Sequence, residues 1–422
     1  MKKLLIALTA AAFTLLSGSL VLAAGASVDA NPDSKTGYTV TFTYENPDAQ
    51  AVQLVGAFNF YKVNDIYVFS SETVSKGGGT IPEDHIYTPE TWEPGMAHMN
   101  DAGYVADMTK GEDGVWSISL DLPCACYLYQ YRVTDAAGET TTITDPANIP
   151  WVNDLGAAQV RSQVFVPFDA DKQAPKDDWT YIFPVEDEAA KGSIIWTEVE
   201  GATFEGQETN LHEIMIYLPA DFDAEREEPY KVLYIAHGGG GEEGDWFYQG
   251  HIDAITDRLI ASGELEPFII VCNDRSKGTD EENTAFIVND LMPYMAENYN
   301  ASTEPADNAV AGLSAGGKLA YAVYVLESDK FGYFGFFSSA FQAATYDFTA
   351  AVADPVIYFG CGYADPRITL PTQEGRIPMG TLCIYLDQLG IDYVGLKLVD
   401  GAHDWFTWPQ LYYDFVMTTL WK

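Results

Sequence analysis

A chain of 422 residues exceeds what one hydrophobic core ordinarily fills, and with 47% hydrophobic and 20% charged residues it is not a disordered one. Its 62 acidic against 22 basic residues give a formal charge of −40, which excludes nucleic acid as a partner, because the phosphates would be repelled, and disfavours anionic substrates. The same charge keeps an extracellular protein soluble.

The first 26 residues read as a secretory signal peptide: Lys2 and Lys3 open it, an apolar run follows, and Val21-Leu22-Ala23 or Ala24-Gly25-Ala26 offers a small-residue cleavage site. The apolar core is short for a spanning helix, and no later stretch is long and apolar enough to replace it. The mature protein is therefore expected outside the cell and free of the membrane. Short alternating runs follow at Tyr38–Tyr44, Val52–Gly56, Val115–Leu120 and Tyr127–Val133, separated by Gly, Asp and Pro turns, and predict a β-sandwich. A segment rich in Gly, Pro and polar residues between Phe60 and Met108 interrupts it as an inserted loop. Residues 166–191 lack periodicity, as a linker or a strap across a boundary would.

Beyond that the texture changes. Apolar strand runs at Lys231–Ala236, Pro267–Cys272, Asn308–Gly312, Pro355–Phe359 and Tyr393–Val399 alternate with helical patterns at His251–Ser262, Thr284–Tyr299, Gly316–Glu327 and Gly380–Leu389. That alternation predicts a mostly parallel sheet wrapped by helices. The expected division is a signal peptide (1–26), an N-terminal β-sandwich domain (27–165), a linker (166–191) and an α/β domain (192–422). Cys124, Cys126, Cys272, Cys361 and Cys383 are too few and too irregular for a disulfide framework, and their odd number leaves one unpaired. No metal-ligand pattern surrounds them, and no metal or cofactor is expected.

Gly312-Leu313-Ser314-Ala315-Gly316 fits the G-x-S-x-G turn that thrusts a serine hydroxyl clear of a sheet edge, with a short apolar strand before it and a helix after it. A serine hydroxyl needs a base to take its proton, and in this fold the partners follow in the order Ser, acid, His. Of six histidines only His403 lies beyond Ser314, just after the last predicted strand. The acid lies between them, among Asp329, Asp347, Asp354, Asp365, Asp387, Asp392 and Asp400. Asp365 is favoured because it follows the penultimate strand through a turn, whereas Asp400 sits on the loop of His403 itself as a turn former. His237-Gly238-Gly239-Gly240-Gly241 follows a strand and matches the HGGG-type oxyanion motif. Gly239 and Ala315 are the expected amide donors, with Gly240 as substitute for Gly239, and His237 is expected to be a structural loop residue.

These segments, with Asp245-Trp246 and with Gly401-Ala402-His403-Asp404-Trp405 and Trp408, resemble carbohydrate esterase family one, the esterase D-like group of feruloyl and acetyl xylan esterases. The resemblance covers Gly192 to the C-terminus and implies an α/β-hydrolase domain with a triad of Ser314, His403 and Asp365. It departs at Ala315, where methionine is common, and at Ala402, where glycine is common. The N-terminal third is similar to the early-set immunoglobulin-like module of glycogen-binding and isoamylase N-terminal domains, through Val55–Asn59, Met108–Trp116 and Asp145–Asn148. There Trp92, Trp116 and Trp151 could stack on sugar, but core packing is the favoured role, above all for Trp116 within a strand. Trp405 and Trp408 are candidate substrate-binding residues.

The resemblance and the expected secretion together imply hydrolysis of feruloyl esters on plant cell-wall polysaccharide or oligosaccharide through an acyl-enzyme. Acetyl xylan esterase, siderophore esterase and a noncatalytic glycan-binding protein are the alternatives. Oligomeric state cannot be read from the sequence.

Overall fold

The computed structural model describes residues 25–63, 81, 83–99, 103–150, 161–339, 341–342, 347–368 and 376–422. The expected signal peptide lies outside these residues up to position 24. Gly25 and Ala26 do not: Ala26 opens the first strand opposite Phe42, and the Thr43 amide donates to the Gly25 carbonyl at 2.8 Å.

Two antiparallel sheets make the N-terminal half. One holds β1 (Ala26–Ala30), β2 (Tyr38–Glu45), β8 (Val115–Asp121) and β7 (Thr109–Lys110), in that order. The other runs β10 (Thr140–Ile143), β9 (Ala125–Thr134), β3 (Ala51–Gly56) and β6 (Tyr104–Asp107), with β11 (Ser162–Val166) also paired to β9. Alternating side chains of β2 and β8 meet those of β3 and β9 in one core around Phe42, Leu54, Leu120 and Tyr129. Trp92 and Trp116 belong to that core, at 2% and 7% exposure, so neither offers a ring face to sugar. Trp151 lies outside the described residues. Asp145 is structural: its buried carboxylate accepts the Tyr129 hydroxyl at 2.7 Å. The expected loop between Phe60 and Met108 carries structure of its own, a ladder between β4 (Asn59–Tyr61) and β5 (Ala97–Met99).

The segment from 166 to 191 is a strap held against both halves. Gln173 accepts the Cys124 amide and donates to the Thr36 carbonyl, Asp177 accepts the Gly95 amide at 2.9 Å, and Trp179 is buried.

The C-terminal half is an eight-stranded sheet in the order β12 (Ser193–Glu200), β13 (Leu211–Leu218), β15 (Ile269–Asn273), β14 (Val232–Ala236), β16 (Asn308–Leu313), β17 (Tyr333–Phe337), β19 (Val356–Gly362), β21 (Leu396–Val399). The strands from β15 to β21 are parallel, while β12 and β13 run antiparallel. Every residue of β14, β15 and β16 is buried, as strands covered on both faces require. The covering helices are α1 (Asp245–Tyr248), α2 (Ile252–Ala261), α3 (Asp280–Phe286), α4 (Met292–Tyr299), α5 (Gly316–Glu327), α6 (Met379–Leu389) and α7 (Trp408–Thr418). A small ladder pairs β18 (Phe341–Gln342) with β20 (Arg376–Ile377).

Three differences from the sequence reading have physical causes. The helix expected over Thr284–Tyr299 begins at Asp280, because Thr279 and Glu282 form a reciprocal capping box. It is then broken by a π turn at Ile287–Leu291 ahead of Pro293, which has no amide hydrogen to give. Strands β12, β13 and β17 and helix α7 were not distinguished, since short apolar runs such as Tyr333–Phe337 carry no period that separates strand from helix. All five cysteines are free and buried. No described helix is long and apolar enough to cross a membrane.

Candidate active site

Because β14, β16, β19 and β21 are parallel, the loops after them emerge at one edge of the sheet, and each carries one part of the site. Ser314 follows β16 directly and adopts φ +49°, the left-handed backbone that an L residue takes only when its surroundings enforce it. Here they do. The Ser314 amide donates to the Phe337 carbonyl at 2.8 Å, and α5 starts so close to β14 that a Cβ on Gly316 would stand 2.4 Å from the Ala236 carbonyl oxygen. Only glycine admits that approach, so the sequence around the serine dictates a turn sharp enough to expose its hydroxyl.

His403 and Asp365 come from the ends of β21 and β19. These two loops are zipped together: the Tyr363 amide donates to the Val399 carbonyl and the Ala364 amide to the Gly401 carbonyl, both at 2.8 Å. A Cβ on Gly362 would meet the Gly401 oxygen at 2.5 Å, so glycine is again what allows the contact. The outcome is a hydrogen-bonded row. His403 Nδ1 lies 2.9 Å from Asp365 Oδ2, and His403 Nε2 lies 3.0 Å from Ser314 Oγ. Asp365 is 2% exposed. Burial raises its pKa, but the charge and hydrogen bond of His403 and the Arg367 amide outweigh that and hold the carboxyl below its ordinary range. It is thus the ionised, acceptor-only partner that fixes the imidazole with Nε2 toward the serine. Asp400, the competing acid on the histidine's own loop, instead pairs with Lys176 at 3.3 Å.

The glycine run after β14 faces the serine. Gly238 packs on Leu313 and Ser314, a Cβ on Gly239 would lie 3.8 Å from that of Ala315, and Gly240 takes φ +76°. Among the described residues, neither the Gly239 nor the Ala315 amide donates to a backbone carbonyl. Both remain available to an oxygen in the cleft. His237 is buried beneath this loop, with Nδ1 2.8 Å from the Gly238 carbonyl and Nε2 accepting the Arg275 amide at 3.1 Å. It holds the loop and does not reach the serine.

A cleft of about 490 Å³ opens above the row, lined by Gly238–Gly241, Asp245, Gln249, Leu313, Ser314, Ala402, His403, Asp404, Trp405 and Trp408. Both tryptophans expected to bind substrate border it. Trp408 is largely buried and stands edge-on to the His403 ring at 5.3 Å, and Trp405 packs against Trp408 at 4.9 Å. The opposite wall was not foreseen from sequence. Ile81, Ile86 and Met99 complete the lining, and they belong to the insertion of the N-terminal half. No lysine or arginine is among the described lining residues.

Asp404, also missed, lies beside the row. Its Oδ1 accepts the Phe406 and Thr407 amides that open the turn into α7, at 3.2 and 3.3 Å. Its Oδ2 accepts the Tyr61 hydroxyl at 3.2 Å. Burial pushes its pKa up to about 6, against the opposing hydrogen bonds of Tyr61 and Thr407.

The Esterase family model matches residues 209–356. That span runs from β13 to the start of β19 and includes the glycine loop and Ser314, but stops before Asp365 and His403. The chain is 26% identical over 320 residues to an endo-1,4-beta-xylanase/feruloyl esterase of Xylanibacter ruminicola, covering 72% of this chain and 40% of that protein. It is 29% identical over 132 residues to endo-1,4-beta-xylanase Y of Acetivibrio thermocellus, covering 28% of this chain and 12% of that one. The chain thus spans well under half the length of these relatives. Among solved structures, the enterobactin esterase of Shigella flexneri superposes with a TM-score of 0.50 at 16% identity, over 93% of this chain and 95% of that one. At that identity the likeness is one of fold. The C-terminal half has the α/β-hydrolase fold, preceded by a β-rich half.

Proposed function

We propose that this protein is a secreted serine esterase that hydrolyses carboxylic esters on plant cell-wall polysaccharide, feruloyl esters above all. The observation that carries the reading is the unbroken row from Asp365 through His403 to Ser314 at 2.9 and 3.0 Å, beside the Gly239 and Ala315 amides, which among the described residues donate to no backbone carbonyl. Ser314 Oγ attacks the ester carbonyl while His403 Nε2 takes its proton. The Gly239 and Ala315 amides receive the developing oxyanion, each such donor contributing about 3 to 4 kcal/mol to the transition state. Collapse expels the alcohol, which receives the proton from His403, and leaves an acyl-serine. Water, deprotonated by the same imidazole, then releases the acid and frees the serine. Asp365 orients the imidazole and stabilises the imidazolium without taking the proton.

The substrate assignment draws on the feruloyl esterase named in the Xylanibacter relative, and on a cleft of aromatic and aliphatic lining that suits a phenolic ester. The paired sheets of the N-terminal half (27–165) form the early-set immunoglobulin-like module in this reading, the strap covers 166–191, and the hydrolase domain covers 192–422. Signal cleavage after Ala23 leaves the Gly25 carbonyl and β1 intact, whereas cleavage after Ala26 would remove both partners of the neighbouring strand.

A second reading, a siderophore esterase, is favoured by the fold match over both halves. The absence of lysine and arginine from the described lining argues against it, because an iron-loaded catecholate is anionic. Parallel assays on methyl ferulate, acetylated xylan and a catecholate siderophore separate the readings: turnover of methyl ferulate is expected, and cleavage of the siderophore alone would overturn the assignment. Absence of turnover on all three, with Ser314→Ala behaving as wild type, would favour a noncatalytic glycan-binding protein.

A further inference from the structure

We propose that Tyr61, from the N-terminal half, is a positioning residue for His403 and acts on it through Asp404. The inference rests on the reading of His403 as general base.

Asp365 fixes one nitrogen of the imidazole, but the backbone that bears the ring must itself be held. The loop enters at Gly401, with φ +130°, and closes where the Thr407 hydroxyl donates to the Ala402 carbonyl at 2.5 Å. Asp404 ties the loop to the turn that leads into α7, through two amides on one oxygen, and Gln410 of α7 adds a bond to the Asp400 carbonyl at 2.7 Å. The second oxygen of Asp404 accepts the hydroxyl of Tyr61, which lies 343 positions away in the sequence. The Tyr61 hydroxyl thus bonds directly to the residue that follows His403.

Tyr61 is suited to hold that place. It has no solvent exposure, it is paired through β4 to Ala97, and its ring stands edge-on to Phe406 at 6.4 Å. Phe406 also packs on the strap, with the Trp179 ring 4.4 Å away. Lys176 of the same strap pairs with Asp400 at the base of the loop. A carboxylate whose burial pushes its pKa up to about 6 needs donors to remain charged and fixed, and Tyr61 supplies the one that the loop cannot. Without it Asp404 is free to turn, and a drift of the loop on the order of 1 Å would separate Nε2 from the serine.

The test uses the full chain, with 4-nitrophenyl acetate as substrate and kcat expressed per serine titrated by a fluorophosphonate, which removes unfolded chains from the count. Tyr61→Phe, Asp404→Asn and the double variant are compared with wild type. Both substitutions keep shape, and Asp404→Asn leaves an oxygen for the Phe406 and Thr407 amides while removing the acceptor for the Tyr61 proton. Tyr61→Phe is expected to lower kcat about tenfold with KM within about twofold, because the base is displaced and the cleft is not. In the Asp404→Asn background the same change is expected to alter kcat by less than about twofold. Wild-type kcat in Tyr61→Phe, a loss carried by KM alone, or an equal factor in both backgrounds would overturn the proposal and leave the esterase reading standing. A wild type without turnover would overturn that reading, and this one with it.

Discussion

The nucleophile and the base of this site are held in different ways. Ser314 is fixed by its own half of the chain: β16 delivers it, Gly316 packs on the end of β14, and the Phe337 carbonyl of β17 takes its amide. His403 sits on a loop gripped from outside the hydrolase sheet, by Tyr61 of the insertion and by Trp179 and Lys176 of the strap. The difference teaches that a reactive group can be built by a few consecutive residues, while its partner's placement depends on packing from across the molecule.

The largest expected effects break the row itself. Ser314→Ala and His403→Ala should each lower kcat by about 10⁴-fold or more, and the double variant should be no worse than the single ones, since the residues act as a unit; steady-state kinetics on methyl ferulate check this. Asp365→Asn should lower kcat by about 10⁴-fold by reversing the imidazole tautomer, with KM little changed.

Changes on the gripping side should act mainly on stability. Trp179→Ala removes a buried ring from against Phe406 and should lower unfolding free energy by about 3 to 5 kcal/mol in urea titration, with kcat falling alongside. The opposite result, lost activity at unchanged stability, would show that the strap is not part of the fold's packing. Asp365 adds a pH signature. Its folded pKa lies below the ordinary carboxylate value of about 3.9, so its contribution to stability is complete above that pH and is lost as pH falls through the depressed folded value. The stability gap between wild type and Asp365→Asn should therefore be full at pH 7 and shrink in strong acid, as paired urea midpoints would show. The smallest effect is expected at the wall: Met99→Ala should raise KM for methyl ferulate a fewfold, with kcat on 4-nitrophenyl acetate unaltered.

The same contrast explains what the sequence revealed. Ser314, the glycine loop and the order Ser, Asp, His were legible because a sharp turn and exposed amides demand small residues at consecutive positions, and a parallel sheet brings the loops after its strands to one edge. The alternation of β14 to β21 with helices was legible for the same local reason, apart from β17 and α7, whose apolar runs lack a distinguishing period. Tyr61, Asp404 and Met99 left no such mark. A tyrosine at the end of a short strand has the same local signature whether it faces solvent or a carboxylate 343 positions away, and only the packing of two halves distinguishes them. For Trp92 and Trp116 core packing was the favoured role over sugar stacking, and their burial bears it out.

The central claim is that Ser314 is activated by His403. Reaction of the whole chain with a fluorophosphonate, followed by peptide mapping and by the labelling rate in His403→Gln, tests it most directly. One adduct per chain on Ser314, formed at least a hundredfold more slowly in the variant, is the predicted result; an adduct elsewhere, or equal rates in the two proteins, would contradict it.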